Sequence, residues 1–486
     1  DGGSGGNSFA TLFSKAPAID STGKLTFQLN PNVTGTASLN VTAANGTLVS
    51  AVKQTTLTIV ATNPPTFTLG PNERAAENAS AQTFTNWATS IQSDPTANTG
   101  QVAFTVTGDA TAATLFSVQP AISPADTLTF TPAAGQFGVS TITVVLTNTS
   151  TGLSSTAHTF TIAVVAPPVG RAETYEVNNY PGSSTADNSS NSVLGVLAND
   201  SDPNAGGVMT AALAAAPSFG GITLNSNGTF TYTPNSSFQG IDRFSYQPVD
   251  SPATGGTVTD TLYSHNGALV NKLYQEVLNR AADDAAIKTY APQLDATTLT
   301  MSALAGTVIT STEHLNTVVN NLYLQFLGVP ADPNGQAYWV GVWRTYGGPE
   351  QVIIGLATSS ACYTYAGGTN TLWVTLLYNQ IHNRAPDSGG LNYWVGQLQS
   401  GAMTQQQVVS AFLATNTYRD IVITSYYNQY LGRPPSTGSS SDMSYWEGQL
   451  AAGVTQLSMQ ETLVGSAEYL GNPAAPATKY VLRLTS

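Results

Sequence analysis

The chain has 486 residues, and its 15 lysine and arginine residues against 28 aspartate and glutamate residues give it a formal net charge of −13. This acidic balance excludes the basic footprint that a nucleic-acid-binding protein requires. The length allows about three or four domains with cores of their own. The single cysteine, Cys362, excludes an intramolecular disulfide framework. The sequence has no run of about 18 apolar residues, so we predict no membrane-spanning helix.

Two kinds of internal repeat divide the chain. Residues 5–65 align without a gap on residues 108–168, and 20 of the 61 aligned pairs are identical. A different unit then recurs at intervals of about 50 residues. Its copies begin with LYQEVLNR at 273, LYLQFLGV at 322, LYNQIHNR at 377 and YYNQYLGR at 426. Similarity at a fixed period predicts structural modules in series, which usually present surfaces and span distances.

The first half of the chain has the pattern of β-sandwich modules. In its middle part, short runs rich in Thr, Val, Ile and Phe alternate apolar and polar residues and are separated by Pro, Gly, Asn and Asp. These runs are 101–108, 126–133, 140–148 and 157–166. Such spacing favours an immunoglobulin-like sandwich, and the Pro-Pro pairs at 64–65 and 167–168 mark its ends. The predicted tandem all-β modules are 1–63, which is incomplete, 64–166 and 167–264.

The third module carries the most specific pattern. Asn227-Gly228 lies between two strand-like runs and predicts a tight hairpin in which both residues have positive φ. The segments VLGVLANDSDPN (193–204), NSNGTFTYTPNSSFQG (225–240) and IDRFSYQPVD (241–250) resemble the bacterial cadherin-like family, whose modules occur in tandem in large secreted adhesins and surface proteins. The resemblance covers most of the module, and residues 1–166 resemble bacterial Ig-like repeats more loosely. It implies a bacterial protein that is extracellular or on the cell surface.

Acidic side chains of the third module suggest a cation site. Aspartate and asparagine supply the hard oxygen ligands of which a calcium ion needs six to eight. The candidate ligands are Asn199, Asp200, Asp202, Asp242 and Asp250. In cadherin-like modules such a cluster often lies at an inter-domain junction, and calcium is the one cofactor that this pattern suggests. The alternative is that these residues form turns and bind backbone amides, and Ala172-Glu173 stands where the family has two aspartates.

After the third module the apolar period changes from two to that of a helix. We predict an all-α domain of four repeats over residues 265–475, in which Asp387 caps a helix, followed by a tail, 476–486. The motif LYNQIHNRAPDSGGLNYW resembles that of the bacterial domain of unknown function 4214, which recurs at the ends of secreted and cell-surface proteins and whose activity is unknown. One position of the repeat is aromatic, and we expect it in the core rather than in a sugar-binding platform. It holds Trp339, Trp394 and Trp446.

No catalytic motif is present in the sequence. The histidines are scattered without zinc-binding spacing, and there is no nucleophile elbow, phosphate loop or dinucleotide fingerprint. Cys362 lies in a helical run, which favours a buried residue over a reactive thiol, so we predict that the protein is not an enzyme. Nine Asn-x-Ser/Thr sequences would allow glycosylation, although the abundance of these residues is the simpler explanation. They begin at Asn32, Asn40, Asn45, Asn78, Asn148, Asn188, Asn199, Asn227 and Asn235.

The first module has no counterpart of residues 64–107 of the second, because the alignment of the two begins near residue 108. A sandwich without these strands would expose an apolar groove and unpaired backbone groups. We therefore expect residues 7–62 to be completed from outside the module, either by a preceding part of a longer polypeptide or by a neighbouring molecule. The tail is the candidate donor strand, although its pattern fits slightly better the first helix of a fifth repeat cut short. The donor residues would be Tyr480, Val481, Leu482 and Leu484.

These observations favour a non-enzymatic extracellular structural protein, the subunit of a filament or surface layer whose partners are copies of itself. The helical repeats show no obvious polar caps, which favours association of the repeat array with other molecules. The alternative is a cell-surface adhesin, in which the β-modules form a stalk and the helical end binds a carbohydrate, such as a surface glycan, or a protein partner.

Overall fold

The computed structural model describes residues 9–31, 33, 35–59, 63–94, 101–177, 186–187, 195–439 and 441–471. Over these residues the chain forms three β-modules followed by one helical domain, as the change of apolar period predicts. None of the helices in these ranges is long and apolar enough to cross a bilayer.

Module 1 comprises the described residues from 9 to 59 and contains three separate antiparallel pairs of strands. β1 pairs with β2, β3 with β6, and β4 with β5. Its elements are α1 (Phe9–Leu12), β1 (Phe13–Ile19), β2 (Leu25–Leu29), β3 (Gly35–Val41), β4 (Ala44–Asn45), β5 (Leu48–Val49) and β6 (Lys53–Ile59). Its buried core is small and consists of Leu12, Phe13, Ala37 and Ile59, with Val33 and Leu57 packed against it.

Module 2, residues 63–166, is a sandwich of two sheets. One sheet has the order β11-β14-β15-β8, in which β8 is parallel to β15, and the other has the order β12-β13-β9. Along β14, Ile142, Val144 and Leu146 point into the core while threonine and valine alternate with them. Its elements are β7 (Thr66–Thr68), β8 (Glu73–Ala76), β9 (Gln82–Phe84), β10 (Thr89–Gln92), β11 (Val102–Gly108), α2 (Ala112–Leu115), β12 (Phe116–Ile122), β13 (Leu128–Pro132), β14 (Gly138–Asn148) and β15 (His158–Val165).

Module 3, residues 167–264, is a second two-sheet sandwich. One sheet has the order β16-β23-β21-β18, with the short β22 beside β21, and the other has the order β17-β20-β19. The core lies between the sheets around Tyr232, Phe244 and Leu262. Its strands are β16 (Thr174–Val177), β17 (Ala186–Asp187), β18 (Thr210–Ala215), β19 (Gly220–Leu224), β20 (Phe230–Pro234), β21 (Ile241–Asp250), β22 (Ala253–Thr254) and β23 (Val258–Ser264).

The hairpin predicted at Asn227-Gly228 joins β19 to β20, but its turn differs from the prediction. Only Gly228 has a positive φ, of 87°. Its amide donates to the Asn225 carbonyl, and the Asn225 amide donates to the Thr229 carbonyl. This is a three-residue turn that ends in a left-handed glycine, so that asparagine does not have to leave the ordinary φ region.

The helical domain contains three helices per repeat, with a fourth in the second repeat. Most of the helices begin at a side-chain cap; Asp387, as predicted, accepts from the Gly390 amide at 2.8 Å. The helices are α3 (His265–Leu278), α4 (Asp284–Asp295), α5 (Met301–Ile309), α6 (Thr312–Leu327), α7 (Pro333–Tyr346), α8 (Glu350–Ala357), α9 (Ser360–Tyr365), α10 (Asn370–Ile381), α11 (Ser388–Gln399), α12 (Gln405–Leu413), α13 (Asn416–Tyr426), α14 (Asp442–Ala451) and α15 (Gln456–Val464).

The four repeats close on themselves instead of forming an open array. α15 of the last repeat packs along α5 of the first, where Ser302 Oγ donates to the Glu461 carbonyl at 2.9 Å. Gln429 Nε2 donates to the Glu276 carbonyl at 2.7 Å, which also joins the fourth repeat to the first. One hydrophobic core runs through all four repeats. The absence of capping repeats is therefore explained by closure, and the expectation that uncapped ends promote association is wrong.

Module 3 and the helical domain form one continuous body. β23 runs directly into α3, and Ser264 caps that helix by accepting from the Gly267 amide at 3.0 Å. Arg243 forms a bidentate ion pair with Asp284 of α4, with both N–O distances at 2.7 Å. Ile241 and Tyr263 of module 3 belong to the helical core. A rotation between these two domains would therefore break a buried apolar contact.

Candidate assembly surface and inter-module junction

Three strands of module 1 have an edge that the described residues leave unpaired. In module 2 the equivalent strands are all covered, because β13 pairs with β9, β14 with β11 and β15 with β8. The counterparts in module 1 are β2, β3 and β6, and within the described residues each of them pairs with one strand only. We call β2 and the outer edges of β3 and β6, which lie on opposite sides of the β3–β6 pair, the open face.

Apolar side chains of the open face are exposed where their counterparts in module 2 are buried. Every residue of β2 is exposed, whereas β13 is largely buried. Ile19, Leu25 and Phe27 are 48%, 39% and 38% exposed, and the equivalent Ile122, Leu128 and Phe130 are 6%, 0% and 1% exposed. The residue types are identical at all three positions. Exposure of large apolar residues in a cluster marks an interaction surface.

The covering strands of module 2 define what would fit the open face. β11 runs antiparallel to β14 over seven residue pairs, from Val102–Asn148 to Gly108–Ile142. β9 adds three antiparallel pairs beside β13, and β8 adds four parallel pairs beside β15. A partner of module 1 would therefore supply main-chain hydrogen bonds to the edges and apolar side chains to the core, as in β-strand addition. The predicted donor residues in the tail, Tyr480, Val481, Leu482 and Leu484, lie outside the described residues.

Asp242 does not lie with the other predicted calcium ligands. Its two carboxylate oxygens accept from the backbone amides of Ser218 and Phe219 at 3.0 and 2.7 Å. The Tyr232 hydroxyl also donates to it, at 2.9 Å. Asp242 thus holds the start of β19, which is the backbone-binding role weighed as the alternative at the sequence level.

Asp202 and Asp250 lie together at the junction between modules 2 and 3. Asn204 Nδ2 donates to Asp202 Oδ1 at 2.7 Å and to Asp250 Oδ2 at 3.1 Å. Arg74 of module 2 pairs with Asp250 Oδ1 at 2.7 Å. Asp202 Oδ2 is buried without a hydrogen-bond partner among the described residues. The Arg74 guanidinium thus supplies a cation to Asp250 but makes no hydrogen bond to Asp202.

Asp200 belongs to a third group, inside module 3. Both of its carboxylate oxygens accept from the Tyr246 hydroxyl, at 3.0 and 2.9 Å. Near it lie Glu173, which binds the Tyr175 hydroxyl, and Asp260, which accepts from the Glu173 amide at 2.8 Å. Burial raises the pKa of Asp260 to about 7, and the negative charges of Glu173 and Asp200 add to the rise.

The predicted calcium ligands are thus divided among separate places. Asn199 precedes the third group, and its side-chain oxygen is buried without a partner among the described residues. Within the described part of the chain, no three His, Cys, Asp or Glu side chains are arranged to hold a metal ion. The five residues therefore do not fit a single calcium site, for which six to eight converging oxygens are needed.

Sequence reasoning missed two residues of the junction, Arg74 and Asn204. Asn204 lies in the NDSDPN segment and could have been identified from the sequence. Arg74 lies in the preceding module, so nothing in the local sequence of module 3 indicates it. The sequence signal that could have drawn attention to Arg74 is the rarity of arginine, because residues 1–264 contain only three.

Other singled-out residues have structural roles. Cys362 is buried, and burial raises the pKa of its thiol to about 11. The repeated tryptophans pack against the helical core, as expected. Among the possible glycosylation positions, Asn148 is buried, its amide donates to the Ser93 carbonyl, and it cannot carry a glycan in this fold. Asn40, Asn45, Asn78, Asn227 and Asn235 are exposed, and Asn32 and Asn188 lie outside the described residues.

Comparison with known families agrees with this architecture. Residues 165–264 match the model of the bacterial cadherin-like domain. Residues 259–318 and 358–419 match the model of a domain of unknown function, DUF4214. The chain therefore contains a bacterial cadherin-like domain followed by DUF4214 repeats. A comparison with curated proteins gave no match.

Several solved structures show a weak similarity. They include the protocadherin gamma B4 extracellular domain, with 16% identity, a TM-score of 0.23 and coverage of 54% of this chain and 44% of that chain. An endo-fucoidan hydrolase of glycoside hydrolase family 107 has 16% identity, a TM-score of 0.17 and coverage of 52% and 37%. Cadherin domains 3–6 of protocadherin gamma B2 have 17% identity, a TM-score of 0.24 and coverage of 52% and 66%. The chain spans less than two thirds of each of these proteins, and such TM-scores do not support a common overall architecture.

Proposed function

We propose that the protein is a non-enzymatic, extracellular structural protein of a bacterial surface, whose copies join through the open face of module 1. The bacterial cadherin-like domain supports an extracellular adhesive or structural role. The exposed apolar residues of the open face carry the proposal of self-assembly, because module 2 buries the same residues at the same positions. Head-to-tail joining of this kind produces a filament when the contacts do not close into a ring.

The contact proposed is the addition of a strand to an unpaired edge. β3 and β6 offer the longest edges, with seven residues each, and the part of β14 that is equivalent to Leu39–Val41 of β3 pairs with β11 in module 2. The added strand would run antiparallel to β3 and bury apolar side chains against Phe27 and its neighbours. Backbone hydrogen bonds and apolar groups make this contact, so it does not require calcium.

A second copy of this chain is the occupant that we propose, and its tail is the donor. In residues 478–486, Tyr480, Leu482 and Leu484 alternate with Val481, Arg483 and Thr485, so one side of a strand would be apolar. Nine residues in strand conformation span about 30 Å, and the seven residues of β3 span about 23 Å. One tail is therefore long enough to cover β3, and a polymer would need one tail for each open face.

Sedimentation of the purified full chain over a range of concentrations tests the proposal. We expect oligomers that grow with concentration and that disappear when residues 472–486 are deleted. A full chain that stays monomeric would contradict self-assembly altogether. Unaltered oligomers after the deletion would contradict the tail as donor while leaving joining through the open face in place.

Two matched phenylalanine substitutions locate the contact. Phe27→Asp places a charge in the open face, and Phe137→Asp places one at an exposed phenylalanine of module 2 that lies outside it. We expect the first to abolish oligomers and the second to leave them unchanged. Phe27 also packs edge-on against Phe13, at a ring distance of 5.7 Å, so Phe27→Asp could disturb module 1. A peptide of residues 64–107 avoids this difficulty, and it should block assembly of the unmodified chain by filling the open face.

A carbohydrate-binding adhesin is the second candidate, and one observation favours it. The tyrosine that precedes the repeated tryptophan is exposed in three repeats and stands edge-on to that tryptophan. Exposed aromatic rings offer an apolar face with a polar group, which suits sugars. A glycan array tests this function. Binding that is lost on replacing Tyr338, Tyr393 and Tyr445 by alanine would support the adhesin, and no bound glycan would contradict it.

A further inference from the structure

The junction between modules 2 and 3 is short and tightly bonded. After Pro167-Pro168, the Val169 amide donates to the Ser201 carbonyl at 2.9 Å, and the Ser201 amide donates back at 3.0 Å. The side chain of Asn204 binds both backbone groups of Ala166, the last residue of module 2, at 2.9 and 2.8 Å. The linker is therefore held to the surface of module 3 on both sides of the proline pair.

Arg74 is a side chain of module 2 that bonds directly to two residues of module 3. It lies on β8, and its Nη2 donates to Asp250 Oδ1 at 2.7 Å while its Nε donates to the Ser251 carbonyl at 2.9 Å. The Asp250 side chain is almost fully buried, whereas that of Arg74 is partly exposed. Two hydrogen bonds from one planar guanidinium fix both the distance and the direction of the contact.

The charges at the junction explain why a cation is needed there. The Oδ2 atoms of Asp202 and Asp250 both lie against Gly207, where an added Cβ would approach them to 2.3 and 2.7 Å. Two carboxylates are thus brought to one spot away from water, which is unfavourable without a compensating positive charge. Arg74 supplies a positive charge to one of the two carboxylates, that of Asp250, from the neighbouring module.

We propose that the Arg74 guanidinium takes the place of a bridging metal ion and locks module 2 to module 3. The orientation of the two modules then does not depend on calcium. Because the positive charge belongs to a side chain of the protein, the contact forms once both modules are folded and does not depend on the concentration of metal ions in solution.

Pulsed electron–electron double resonance on the full chain tests whether Arg74 fixes the position of module 2 relative to module 3. Spin labels at Val139→Cys and Leu213→Cys would report the distance between modules 2 and 3, since both positions are exposed. The native Cys362 is buried and would stay unlabelled. We expect one narrow distance distribution that is the same in chelator and in millimolar calcium. A distribution that broadens in chelator and narrows again with calcium would overturn the proposal.

Removing the guanidinium is the second arm of the test. Arg74→Gln should broaden the distribution at least two-fold, because Asp250 loses its cation while the Asn204 contacts remain. Arg344→Gln is the matched control, since Arg344 also bonds a backbone carbonyl, that of Thr310, but lies in the helical domain. It should leave the distribution unchanged. Asp250→Asn removes the other partner of the ion pair and should reproduce the effect of Arg74→Gln. A distribution that stays narrow in both junction variants would overturn the proposal.

Discussion

Glu276 is a buried carboxyl group that links the first and last repeats of the helical domain. It accepts from the Tyr469 hydroxyl at 2.8 Å, and Lys272 lies 3.9 Å away. Burial raises the pKa of Glu276 from 4.5 to about 7, although the charge of Lys272 opposes the rise. Folding therefore favours the protonated form of this residue.

The raised pKa of Glu276 predicts how stability varies with pH. Its contribution to the free energy of unfolding is constant below 4.5, falls as pH rises towards about 7, and is lowest above that value. The slope is at most about 1.4 kcal/mol per pH unit. Glu276→Gln should remove this slope and make the variant more stable than the unmodified chain at alkaline pH, as urea unfolding would measure.

An exposed carboxyl group provides the control for Glu276. Glu313 pairs with Arg280 at the surface, and that partner lowers the pKa of Glu313. The ion pair stabilises the fold less as pH falls and Glu313 becomes protonated. A surface ion pair contributes about 1 kcal/mol or less. We therefore expect Glu313→Gln to change the free energy of unfolding at alkaline pH by no more than this amount. Equal pH slopes for Glu276→Gln and the unmodified chain would contradict the role given to Glu276.

The predicted calcium ligands show what sequence can and cannot supply for single residues. Residue type and spacing identified Asp200, Asp202 and Asp250 as side chains that offer oxygen ligands. In the structure, each of them accepts a hydrogen bond or pairs with a cation. Spacing along the chain did not reveal which groups face them. Arg74 comes from another module, and the amides that Asp242 binds come from the loop before β19. Such neighbours are set by tertiary packing and have no local pattern.

Among the elements, regular alternation predicted the long strands well. The run 140–148 corresponds to β14 (Gly138–Asn148), and the run 157–166 corresponds to β15 (His158–Val165). The short β8 and its parallel pairing with β15 were not predicted, because four residues carry too little periodicity and parallel pairing is non-local. Closure of the helical repeats was also missed, since the apolar period of a helix does not give the curvature of the array.

Gly240 lies at a close contact between module 3 and the helical domain. Its φ is +91°, and an added Cβ would lie 2.7 Å from the Cβ of Ala291 in α4. Gly240→Ala should lower the free energy of unfolding by about 1–3 kcal/mol through backbone strain and overpacking. Gly221 in β19 has open space around its Cβ position, and Gly221→Ala should be nearly neutral. Thermal unfolding of the two variants checks the contrast, and equal melting temperatures would contradict the close junction.

On the scale of the whole molecule, the described chain combines domains that are firmly joined with a first module that has a small core. Modules 2 and 3 and the helical domain are joined by short bonded junctions. Module 1 has a small core and an open face within the described residues. The side chains of β2 are exposed, and the completion of module 1 from outside stays a prediction of its gapless alignment with module 2. The identity of the partner was beyond the sequence, because an unpaired edge accepts any strand of suitable pattern.

Closure of the helical domain can be tested by truncation. A variant that ends at Ala451 lacks α15, which covers α5 of the first repeat. We expect faster backbone hydrogen exchange in α5, because its packing partner is gone. A variant that ends at Gly471 keeps the contact and serves as the control. Unchanged exchange in α5 after the longer truncation would indicate an open array, in which each repeat depends only on its neighbours.

Backbone hydrogen exchange in β3 is the most direct measure of the central claim, because β3 contributes a seven-residue edge to the open face. The amides of Gly35–Val41 should exchange faster in dilute monomer than those of β14, whose two edges are both paired. When the chain assembles, we predict that β3 becomes protected while β14 does not change. Exchange in β3 that is the same in monomer and assembly would contradict joining through the open face of module 1.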